Sequence, residues 1–463
     1  MGRYILAPDV ALRSWEGSPS TYIRRESARP MRLTRDMFDT ALLCDGAHDL
    51  PGSAALARLL EGGVVRHCGP EESLTNWQRH RAYPCRVTPW LALEITDRCN
   101  YNCLHCFNAA DESKPQEELT FEQILTILDG AEAAGVQAVL ITGGEPLLHR
   151  SFRDIVRAIY ERDMFIHEIN TNGSMLDQDM IDFLRSMGKL PELKISFDGL
   201  GFHDWMRGKA GAERDALRAF ELCAGEHVPF RVQMNVNKVN LPSLRDSLLC
   251  LADLGAPRIR VIRTTMTPRW QKNVPDGCLS WEEYYETALE NAAWYAGRHL
   301  KPELNFWHFI TLKPDSRTYR LDRVRCQPSA FREELPICPT LYGMPAVGAN
   351  GRIYPCLQYS GTMDFRGVCL GNVVQTGLLP LLMGDKYGSI AHARVRDRLD
   401  RGDKCAGCRY HPWCAGGCPA LGYLADGKDF LKHDPSACLF FENGWAERVE
   451  KALRDWIDLT PVR

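Results

Sequence analysis

Between residues 91 and 298 the hydrophobic positions follow two alternating spacings. Segments with apolar residues at every second position predict strands, and segments with apolar residues three and four apart predict helices. The predicted strands cover residues 91–96, 138–144, 165–172, 193–199, 230–237 and 258–265. The predicted helices cover residues 121–134, 152–162, 178–187, 212–223, 243–254 and 281–298. Successive strand–helix units favour a parallel sheet with right-handed crossovers, either open or closed into a partial barrel.

The predicted strands carry polar residues on one face. These residues are Glu94, Thr96, Glu168, Asn170, Asn172, Lys194, Ser196, Asp198, Gln233, Asn235, Asn237, Arg258 and Arg260. Parallel strands buried on both faces are nearly all apolar, and a closed barrel is filled by Val, Ile and Leu. The pattern therefore predicts an α/β fold with a partial (β/α)6 TIM-like barrel whose lumen holds a large polar ligand. A half-exposed antiparallel sheet is the alternative, which the long intervening helices disfavour.

Different patterns flank the barrel. Near the N-terminus, strands are predicted at residues 10–15, 21–27, 30–33 and 64–67, with a turn at 16–20 and helices at 34–44 and 53–61. Beyond Cys326 the chain is rich in Gly, Pro and Cys. We therefore divide the chain into an N-terminal domain (1–85), the barrel (86–310), a linker (311–325), a Cys-rich domain (326–445) and a C-terminal helix (446–463).

Charge and hydropathy exclude several classes of protein. The 56 Lys and Arg residues nearly balance the 59 Asp and Glu residues, so no global field favours nucleic acid or an anionic membrane. The basic run at residues 77–86 is interpreted as a solvated linker. No apolar run approaches the ~20 residues of a membrane span, and the first residues lack the apolar core of a signal peptide. We therefore expect a cytoplasmic protein with neither a nucleic-acid nor a membrane partner.

The 18 cysteines are informative because thiols stay reduced in the cytoplasm, where clustered cysteines are more often metal ligands than disulfides. Cys99, Cys103 and Cys106 follow the first barrel strand with the spacing Cys-x3-Cys-x2-Cys. That end of a barrel strand is where ligand sites are built. Three thiolates on a [4Fe–4S] cluster leave one iron open for chemistry. Zinc is the competing metal, but a structural zinc site requires four protein ligands.

The triplet, the "GGEP" segment after the second strand and the six strand–helix units together resemble the radical S-adenosylmethionine (SAM) superfamily. The resemblance implies that the open iron chelates SAM, and that an external flavodoxin- or ferredoxin-type donor reduces the cluster. SAM then splits into methionine and a 5′-deoxyadenosyl radical that abstracts substrate hydrogen. Further SAM contacts are implied for His105, Gly143, Gly144, Glu145, Ser196 and Arg207, and Asn170 and Asn172 are additional lumen candidates.

A second group of cysteines lies in the C-terminal region. Cys405, Cys408, Cys414 and Cys418 have the spacing Cys-x2-Cys-x5-Cys-x3-Cys, and Cys438 follows. A segment so poor in apolar residues needs a metal to fold. With the upstream Cys338 and Cys356, this arrangement resembles the SPASM domain.

That resemblance implies two auxiliary clusters and therefore three [4Fe–4S] clusters in all. One would be bound by Cys338, Cys356 and Cys418, and the other by Cys405, Cys408, Cys414 and Cys438. Cys326 is the candidate for a further ligand of the first auxiliary cluster, with Cys369 and an open site as alternatives. The remaining cysteines are interpreted as core or surface thiols: Cys44, Cys68, Cys85, Cys223, Cys250 and Cys278.

The N-terminal domain resembles the winged-helix RiPP recognition element, which binds precursor peptides. A packing appendage without a ligand is the alternative. The leading hypothesis is a maturase that joins side chains of a ribosomal precursor peptide, bound through its leader, by a thioether, C–C or C–O bond or a related modification. The alternatives are a formylglycine-generating sulfatase maturase, a radical enzyme acting on a small molecule, and a non-catalytic metal-dependent scaffold. The candidates for a general base are Glu168, Lys194, Asp198 and Arg260.

Overall fold

The structure is a computed structural model that describes residues 2–25, 27, 29–107, 116–454 and 456. Its strands are β1 Gly2–Leu6, β2 Val10–Glu16, β3 Ser18–Arg24, β4 Met31–Arg32, β5 Asp45–Leu50, β6 Val65–His67, β7 Arg81–Arg86, β8 Trp90–Glu94, β9 Ala138–Thr142, β10 Phe165–Thr171, β11 Glu192–Ser196, β12 Phe230–Val236, β13 Arg258–Arg263, β14 Glu303–Phe306, β15 Ile310–Lys313, β16 Thr318–Leu321, β17 Ala346–Val347 and β18 Ile353–Tyr354.

The helices are mostly long in the barrel and short in the Cys-rich region. They are α1 Arg35–Leu42, α2 Ala54–Glu61, α3 Phe121–Ala134, α4 Phe152–Glu161, α5 Gln178–Ser186, α6 His203–Arg207, α7 Ala212–Gly225, α8 Leu244–Asp253, α9 Pro268–Asn273, α10 Trp281–Gly297, α11 Pro339–Gly343, α12 Ser360–Phe365, α13 Val373–Thr376, α14 Leu378–Met383, α15 Asp385–Ala391, α16 Val395–Leu399, α17 His411–Cys414, α18 Pro419–Asp426, α19 Pro435–Glu442 and α20 Trp445–Ala452. None of these helices combines the length and apolar character that crossing a bilayer needs.

The centre of the molecule is an eleven-stranded sheet in the order β16-β15-β14-β13-β12-β11-β10-β9-β8-β17-β18. Strands β8 to β14 are mutually parallel, which confirms the predicted partial barrel. At one edge β15 and β16 add antiparallel to β14, and at the other edge β17 adds parallel to β8. The expectation of a linker at 311–325 was therefore wrong, because β16 and most of β15 lie in that segment.

Local sequence signals explain the barrel helices. Helix α3 begins after Thr120, whose hydroxyl accepts from the backbone N–H of Gln123 while the Gln123 side chain accepts from the backbone N–H of Thr120. It ends at Gly135, which adopts a φ of 82° that favours glycine. Its bounds equal those predicted from the periodicity. Buried Ile124 and Leu128 belong to the main core of the molecule.

The polar strand face is an interior network of charges. Glu168 on β10 forms ion pairs with Lys194 on β11, at 3.0 Å, and with Arg231 on β12. Arg231 and Arg258 both pair with Glu192. Opposite charges from adjacent strands therefore lie side by side, so these five side chains compensate one another within the polar lumen.

The N-terminal region has its own small core. It contains a three-stranded sheet β5-β1-β6, a four-stranded sheet β4-β3-β2-β7 and the helices α1 and α2. Phe38, Leu56 and Leu59 lie in a hydrophobic cluster separate from the main core. On its other side the indole Nε1 of Trp15 donates to Ala134 O of α3, at 3.0 Å. The region therefore has a folding core of its own while packing on the barrel.

Two local expectations in this region were wrong. Residues 18–20 belong to strand β3 and do not form part of a five-residue turn, since Gly17 alone provides the reversal with a φ of 73°. The basic run at 77–86 contains strand β7, which pairs parallel with β2. Trp77 in this run is 3% exposed and contacts the Arg13 guanidinium, so the segment is structural and not a solvated linker.

The Cys-rich region connects to the barrel through buried polar contacts. Arg323, just after β16, forms an ion pair with Asp434 and donates to the hydroxyls of Ser436 and Tyr285. Helix α20 packs against α10, and residues 457–463 of the predicted C-terminal helix lie outside the described residues. The helices α19 and α20 of the Cys-rich region therefore pack against α10 and the segment that follows β16.

Candidate functional site

The loop after β8 carries Cys99, Cys103 and Cys106 and is fixed to helix α6 by its backbone. Asn102 N donates to Arg207 O at 3.0 Å, and Leu104 N donates to Met206 O at 2.9 Å. The three cysteines are each partly exposed. The sequence predicts this loop, but it does not predict helix α6, to which the loop is hydrogen-bonded.

The glycines of the "GGEP" segment allow a close approach to that loop. Gly144 N donates to Thr96 O at 2.6 Å, and Glu145 N donates to Arg98 O at 2.8 Å. A Cβ on Gly143 would lie 2.3 Å from Thr96 O, and a Cβ on Gly144 would lie 2.3 Å from Arg98 O. The glycines are therefore required by the backbone that carries the cysteines, whatever ligand lies above them.

The Glu145 side chain connects β9 to β10. It is fully buried, and its carboxylate accepts from Thr171 Oγ1 at 2.8 Å, from Asn172 N at 2.8 Å and from Leu147 N at 3.2 Å. Burial raises the pKa of Glu145 to about 7. Because its oxygens accept from these donors, the side chain orders the loops around the cysteine triplet.

Arg207 and His105 converge on Asp198. Arg207 Nε lies 2.8 Å from Asp198 Oδ2, and its Nη1 donates to Cys103 Sγ at 3.7 Å. His105 Nε2 lies 3.8 Å from the same carboxylate oxygen. Burial lowers the pKa of His105 to about 4, so the ring is neutral at pH 7. Its Nδ1 is buried and has no hydrogen-bond partner in the described part of the chain.

The remaining barrel candidates differ in their contacts. Asn172 Nδ2 lies 4.0 Å from Cys99 Sγ and donates to Asn100 Oδ1 at 2.8 Å. Asn170 Oδ1 is buried and lacks a hydrogen-bond partner among the described residues. Ser196 is partly exposed at the end of β11. The structure therefore brings Asn172 to the cysteine loop and leaves Asn170 with unused hydrogen-bonding capacity.

Four C-terminal cysteines surround one pocket. Cys405, Cys408, Cys414 and Cys438 all line it, together with Lys404, Tyr410 and Phe441. They come from separate segments, because Cys438 lies on α19 while the other three lie between residues 405 and 414. The set that the SPASM resemblance implies, with Cys438 instead of Cys418, thus lies around one pocket.

Cys338, Cys356 and Cys418 form another group. Burial raises the pKa of Cys356, and the charges of Cys338 and Cys418 raise it further, so the three thiols lie within electrostatic range of one another. The Cys326 backbone N donates to Trp413 O at 3.1 Å, and its thiol donates to Gln327 O at 3.3 Å.

Two family profiles match the segments that carry these cysteines. The profile of the radical SAM superfamily matches residues 93–246, and that of the SPASM iron–sulfur cluster-binding domain matches residues 338–409. The chain is therefore a radical SAM enzyme with a SPASM domain, and the SPASM domain is an iron–sulfur cluster-binding domain.

Relatives of this radical SAM/SPASM enzyme include proteins of different named activities. It is 26% identical over 352 residues to an AdoMet-dependent heme synthase of Methanosarcina barkeri, covering 74% of this chain and 95% of that protein. It is 26% identical over 202 residues to the sporulation killing factor maturation protein SkfB of Bacillus subtilis, covering 43% of this chain and 48% of that protein. The sequence comparisons therefore support the family but do not favour one substrate.

Solved structures share the fold. Streptococcus suis SuiB, in a crystal structure with its precursor peptide SuiA, matches with a TM-score of 0.67 at 15% identity, covering 94% of this chain and 99% of that chain. The anSMEcpe structure with bound AdoMet matches with a TM-score of 0.58 at 15% identity, covering 79% of this chain and 98% of that chain. The SuiB match extends over the N-terminal region as well as the barrel and the SPASM domain.

The donor sets fit iron–sulfur clusters. Burial raises the pKa of Cys99 and of Cys405 to about 12 and that of Cys438 to about 11. Such thiols stay protonated at neutral pH unless a metal displaces the proton. Three thiols in one loop and four around one pocket are the ligand numbers of an open cluster and a closed cluster.

Sequence reasoning missed the residues that support the SPASM cysteines. Asp434 accepts from Cys418 N at 3.3 Å and from Ser436 N at 2.9 Å while it pairs with Arg323. His433 Nδ1 lies 2.6 Å from Asp403 Oδ1, and these two residues and Cys405 could together hold a metal ion. The local signal for Asp434 is its place before Pro435, where it caps α19.

Ion pairs occupy three of the four general-base candidates. Glu168 pairs with Lys194, and Asp198 pairs with Arg207. Burial and the neighbouring Arg231 lower the pKa of Arg260 to about 10, which leaves Arg260 cationic at neutral pH. A carboxylate or amine that is paired with an opposite charge is a poor base, and so is a cationic arginine. None of these four residues is therefore a free general base.

Proposed function

We propose that this radical SAM/SPASM enzyme is a cytoplasmic maturase of a ribosomally made precursor peptide. In this proposal it removes hydrogen from a substrate carbon and forms a thioether, C–C or C–O crosslink or a related modification. The cytoplasm is supported by the many reduced thiols, and a flavodoxin- or ferredoxin-type protein is the proposed electron donor.

The observation that carries the proposal is the N-terminal domain. The alignment with the heme synthase covers 74% of this chain and nearly all of that protein, whereas the match to SuiB covers 94% of this chain. SuiB was crystallised with a precursor peptide, and SkfB is named as a maturation protein. A separate domain with its own core is expected where a leader peptide must be held apart from the reacting residues.

We assign the N-terminal domain as the leader-binding module. Strand β4 lies at an edge of its four-stranded sheet, and Met31 on β4 is 49% exposed. Leu43, at the end of α1, is 59% exposed. An extended peptide binds such an edge by adding a strand, with apolar side chains giving specificity. The alternative, a packing appendage, leaves these apolar side chains without a role.

We assign the cysteines to three [4Fe–4S] clusters. Cys99, Cys103 and Cys106 would hold the first, which when bound supplies the electron that cleaves SAM. Cys338, Cys356 and Cys418 would hold the first auxiliary cluster, with Cys326 as its proposed further ligand and Cys369 or an open site as alternatives. Cys405, Cys408, Cys414 and Cys438 would hold the second.

The barrel residues are assigned to bind and orient SAM. The Gly143–Gly144 backbone and Arg207 lie beside the cysteine loop, where they would bind its amino and carboxylate groups. His105, Asn170 and Ser196 would contact the nucleoside. Asn170 Oδ1 and His105 Nδ1, which have no partner among the residues that the structure describes, would supply a buried acceptor and a buried donor or acceptor for it. Glu145 and Asn172 position these loops.

The direct test is an anaerobic reaction of the reduced enzyme with SAM and the short peptide encoded beside its gene. We expect formation of 5′-deoxyadenosine together with a peptide that has lost two hydrogen atoms and contains a new intramolecular bond in its fragmentation spectrum. Formation of 5′-deoxyadenosine without any change in peptides from the neighbouring genes would contradict the maturase proposal.

The leader-binding assignment has a separate test. Met31→Asp in the full-length enzyme should weaken binding of the fluorescently labelled leader, measured by anisotropy. Met383→Asp is the matched control, because Met383 is 55% exposed on the SPASM domain. Equal binding by both variants would contradict the assignment of β4.

The second candidate function is chemistry on a propionate-bearing tetrapyrrole, which the heme synthase relatives favour. Its test is anaerobic incubation with Fe-coproporphyrin III, followed by chromatography for heme. Heme formation at a rate matching SAM cleavage would select this function over the maturase. Formylglycine formation is disfavoured, because Leu357 stands where the resembling sulfatase maturases carry an aspartate.

A further inference from the structure

A pocket lies between the cysteine triplet and the first group of SPASM cysteines. Phe107, which lines it, directly follows Cys106, and Gln358, which also lines it, is two residues after Cys356. The opposite wall comes from the end of β13 and the segment before β15. A substrate placed in this pocket would therefore lie between the two metal-binding regions.

Its polar wall consists of an arginine and a histidine framed by tryptophans. The Arg263 guanidinium lies 4.5 Å from the centre of the Trp281 ring, and its Nη1 donates to Leu279 O at 2.6 Å. The rings of Trp307 and His308 lie 4.0 Å apart. All four of these side chains line the pocket. They combine flat apolar surface with two nitrogen-bearing groups.

Both nitrogen-bearing groups have buried atoms without a partner. Arg263 Nε and His308 Nε2 are inaccessible to solvent and make no hydrogen bond within the described residues. A buried polar atom without a partner costs free energy, and native proteins retain such atoms mainly at functional sites. His308 also adopts a φ of 64°, a strained backbone conformation of the kind that is concentrated at functional sites.

The electrostatic surroundings favour an anion. Burial and the nearby charges of Arg323 and Arg260 hold the pKa of His308 well below its ordinary range, so the ring is neutral. Asp434 is the opposing acidic charge, but it is already paired with Arg323. A neutral His308 whose Nε2 carries the proton donates a hydrogen bond, and Arg263 donates from a cation. Two such donors match a carboxylate.

We propose that this pocket binds a carboxylate of the substrate through Arg263 and His308, with the adjoining part of the substrate against Trp281 and Trp307. The inference rests on the proposed maturase function, in which the carboxylate belongs to an Asp or Glu side chain next to the residue that is modified. Arg263 and His308 are then specificity-determining residues of the reaction.

The test uses the reconstituted full-length enzyme and small probes, so it does not depend on peptide turnover. Indole-3-acetate and its neutral analogue indole-3-acetamide are titrated under anaerobic conditions by calorimetry. We expect wild-type enzyme to bind the carboxylate about tenfold more tightly than the amide, as one charge-assisted hydrogen bond provides. Arg263→Gln should abolish this preference, and His308→Asn, which tolerates a positive φ, should reduce it.

The matched control is Arg298→Gln. Arg298 also lies over a tryptophan, at 5.4 Å from the Trp294 ring, but it is exposed on the outside of the barrel. It should retain the wild-type preference. Equal binding of the two probes by the wild type, or an unchanged preference in Arg263→Gln, would overturn the proposed carboxylate site. Circular dichroism of each variant verifies that the comparison is made between folded proteins.

A competition step separates the two sources of carboxylate. A short peptide with a Glu residue from the neighbouring precursor should displace indole-3-acetate, and its Gln counterpart should displace it about tenfold less well. Displacement by Fe-coproporphyrin III alone would support the carboxylate site and overturn the maturase function. Displacement by neither ligand would overturn the site as a substrate subsite even if peptide modification were observed.

Discussion

The Arg207 guanidinium forms a buried ion pair with the Asp198 carboxylate, with 2.8 Å between Nε and Oδ2. Burial by itself would raise the pKa of Asp198, but the Arg207 charge and smaller contributions from neighbouring groups, including the hydrogen bond from Asn235 N, together outweigh it and hold the pKa below its ordinary value. Through Nη1, the same guanidinium donates to Cys103 Sγ. The pair thus couples the fourth barrel strand to the loop that carries the cysteine triplet.

Removal of Asp198 should be strongly destabilising. Asp198→Ala leaves the Arg207 charge buried without its counterion, so we expect a loss of about 3–5 kcal/mol in the free energy of unfolding. Anaerobic urea unfolding of the reconstituted protein measures it. The control is Asp154→Ala, which breaks an exposed pair with Arg157 and should cost less than about 1 kcal/mol. Equal losses in the two variants would refute the structural role of the buried pair.

Gly144→Ala should impair the cysteine triplet without unfolding the barrel. The added Cβ would lie 2.3 Å from Arg98 O, so the loop of the triplet must move. A displacement of about 1 Å at a reacting centre costs up to about 100-fold in rate, and we expect SAM cleavage to fall by that order. The readout is the rate of 5′-deoxyadenosine formation by the reduced enzyme.

Gly225→Ala is the control for that experiment. Gly225 ends α7, and a Cβ added there would have no described atom outside its own helix turn within 4 Å. The alanine should keep wild-type SAM cleavage and stability, because it replaces the poorer helix former. A Gly144→Ala enzyme as active as Gly225→Ala would show that the cysteine loop tolerates the displacement.

The barrel was predictable because its signals are local. The bounds of α3 follow from its capping residues Thr120, Gln123 and Gly135, which lie next to the helix ends in the sequence. The edge strands were not predictable, since β17 has two residues and pairs with β8, from which it is separated by the whole barrel sequence. Pairings of this kind are determined by tertiary packing, which leaves no periodic pattern in a two-residue strand.

The candidate site also has features that the sequence predicts and features that depend on tertiary packing. Cysteine spacing groups Cys405, Cys408 and Cys414, and these three residues line one pocket. The fourth cysteine of that pocket is Cys438 and not Cys418 of the spacing run, and only the SPASM resemblance indicated it. The hydrogen bonds of Glu145 to Thr171 and Asn172 could not be predicted, because they join the ends of two different strands. Likewise, Arg263 Nε and His308 Nε2 lack a partner among the described residues because of how the structure packs, which has no signature in the sequence.

Iron content tests the assignment of three clusters. Anaerobically reconstituted enzyme should hold about twelve irons, and the double variant Cys405→Ser/Cys408→Ser should hold about eight, because a cubane cluster contains four irons. Cys250→Ser is the control and should keep the wild-type content, since Cys250 lies on α8 away from the pocket of Cys405. About four irons in the wild type would contradict both auxiliary clusters.

His203 gives the structure a specific sensitivity to acid. Its ring is fully buried, packs against Phe197 at 5.1 Å between ring centres, and accepts from Asp198 N at 2.9 Å. Burial lowers its pKa to about 3 from an ordinary value of 6.5. Below pH 6.5 the unfolded chain therefore binds a proton that the folded chain does not, so the stability that depends on neutral His203 is lost as the pH falls.

The variant His203→Asn removes this titration while retaining an acceptor for Asp198 N. The wild type and the variant differ in their free energy of unfolding. We expect this difference to decrease as the pH is lowered from 6.5 to 4.5, by up to about 1.4 kcal/mol per pH unit. Anaerobic urea unfolding of the reconstituted proteins measures the difference. His48→Asn, at an exposed position, should show the pH dependence of the wild type. A constant difference between wild type and His203→Asn over this range would mean that His203 is not held neutral in the folded protein.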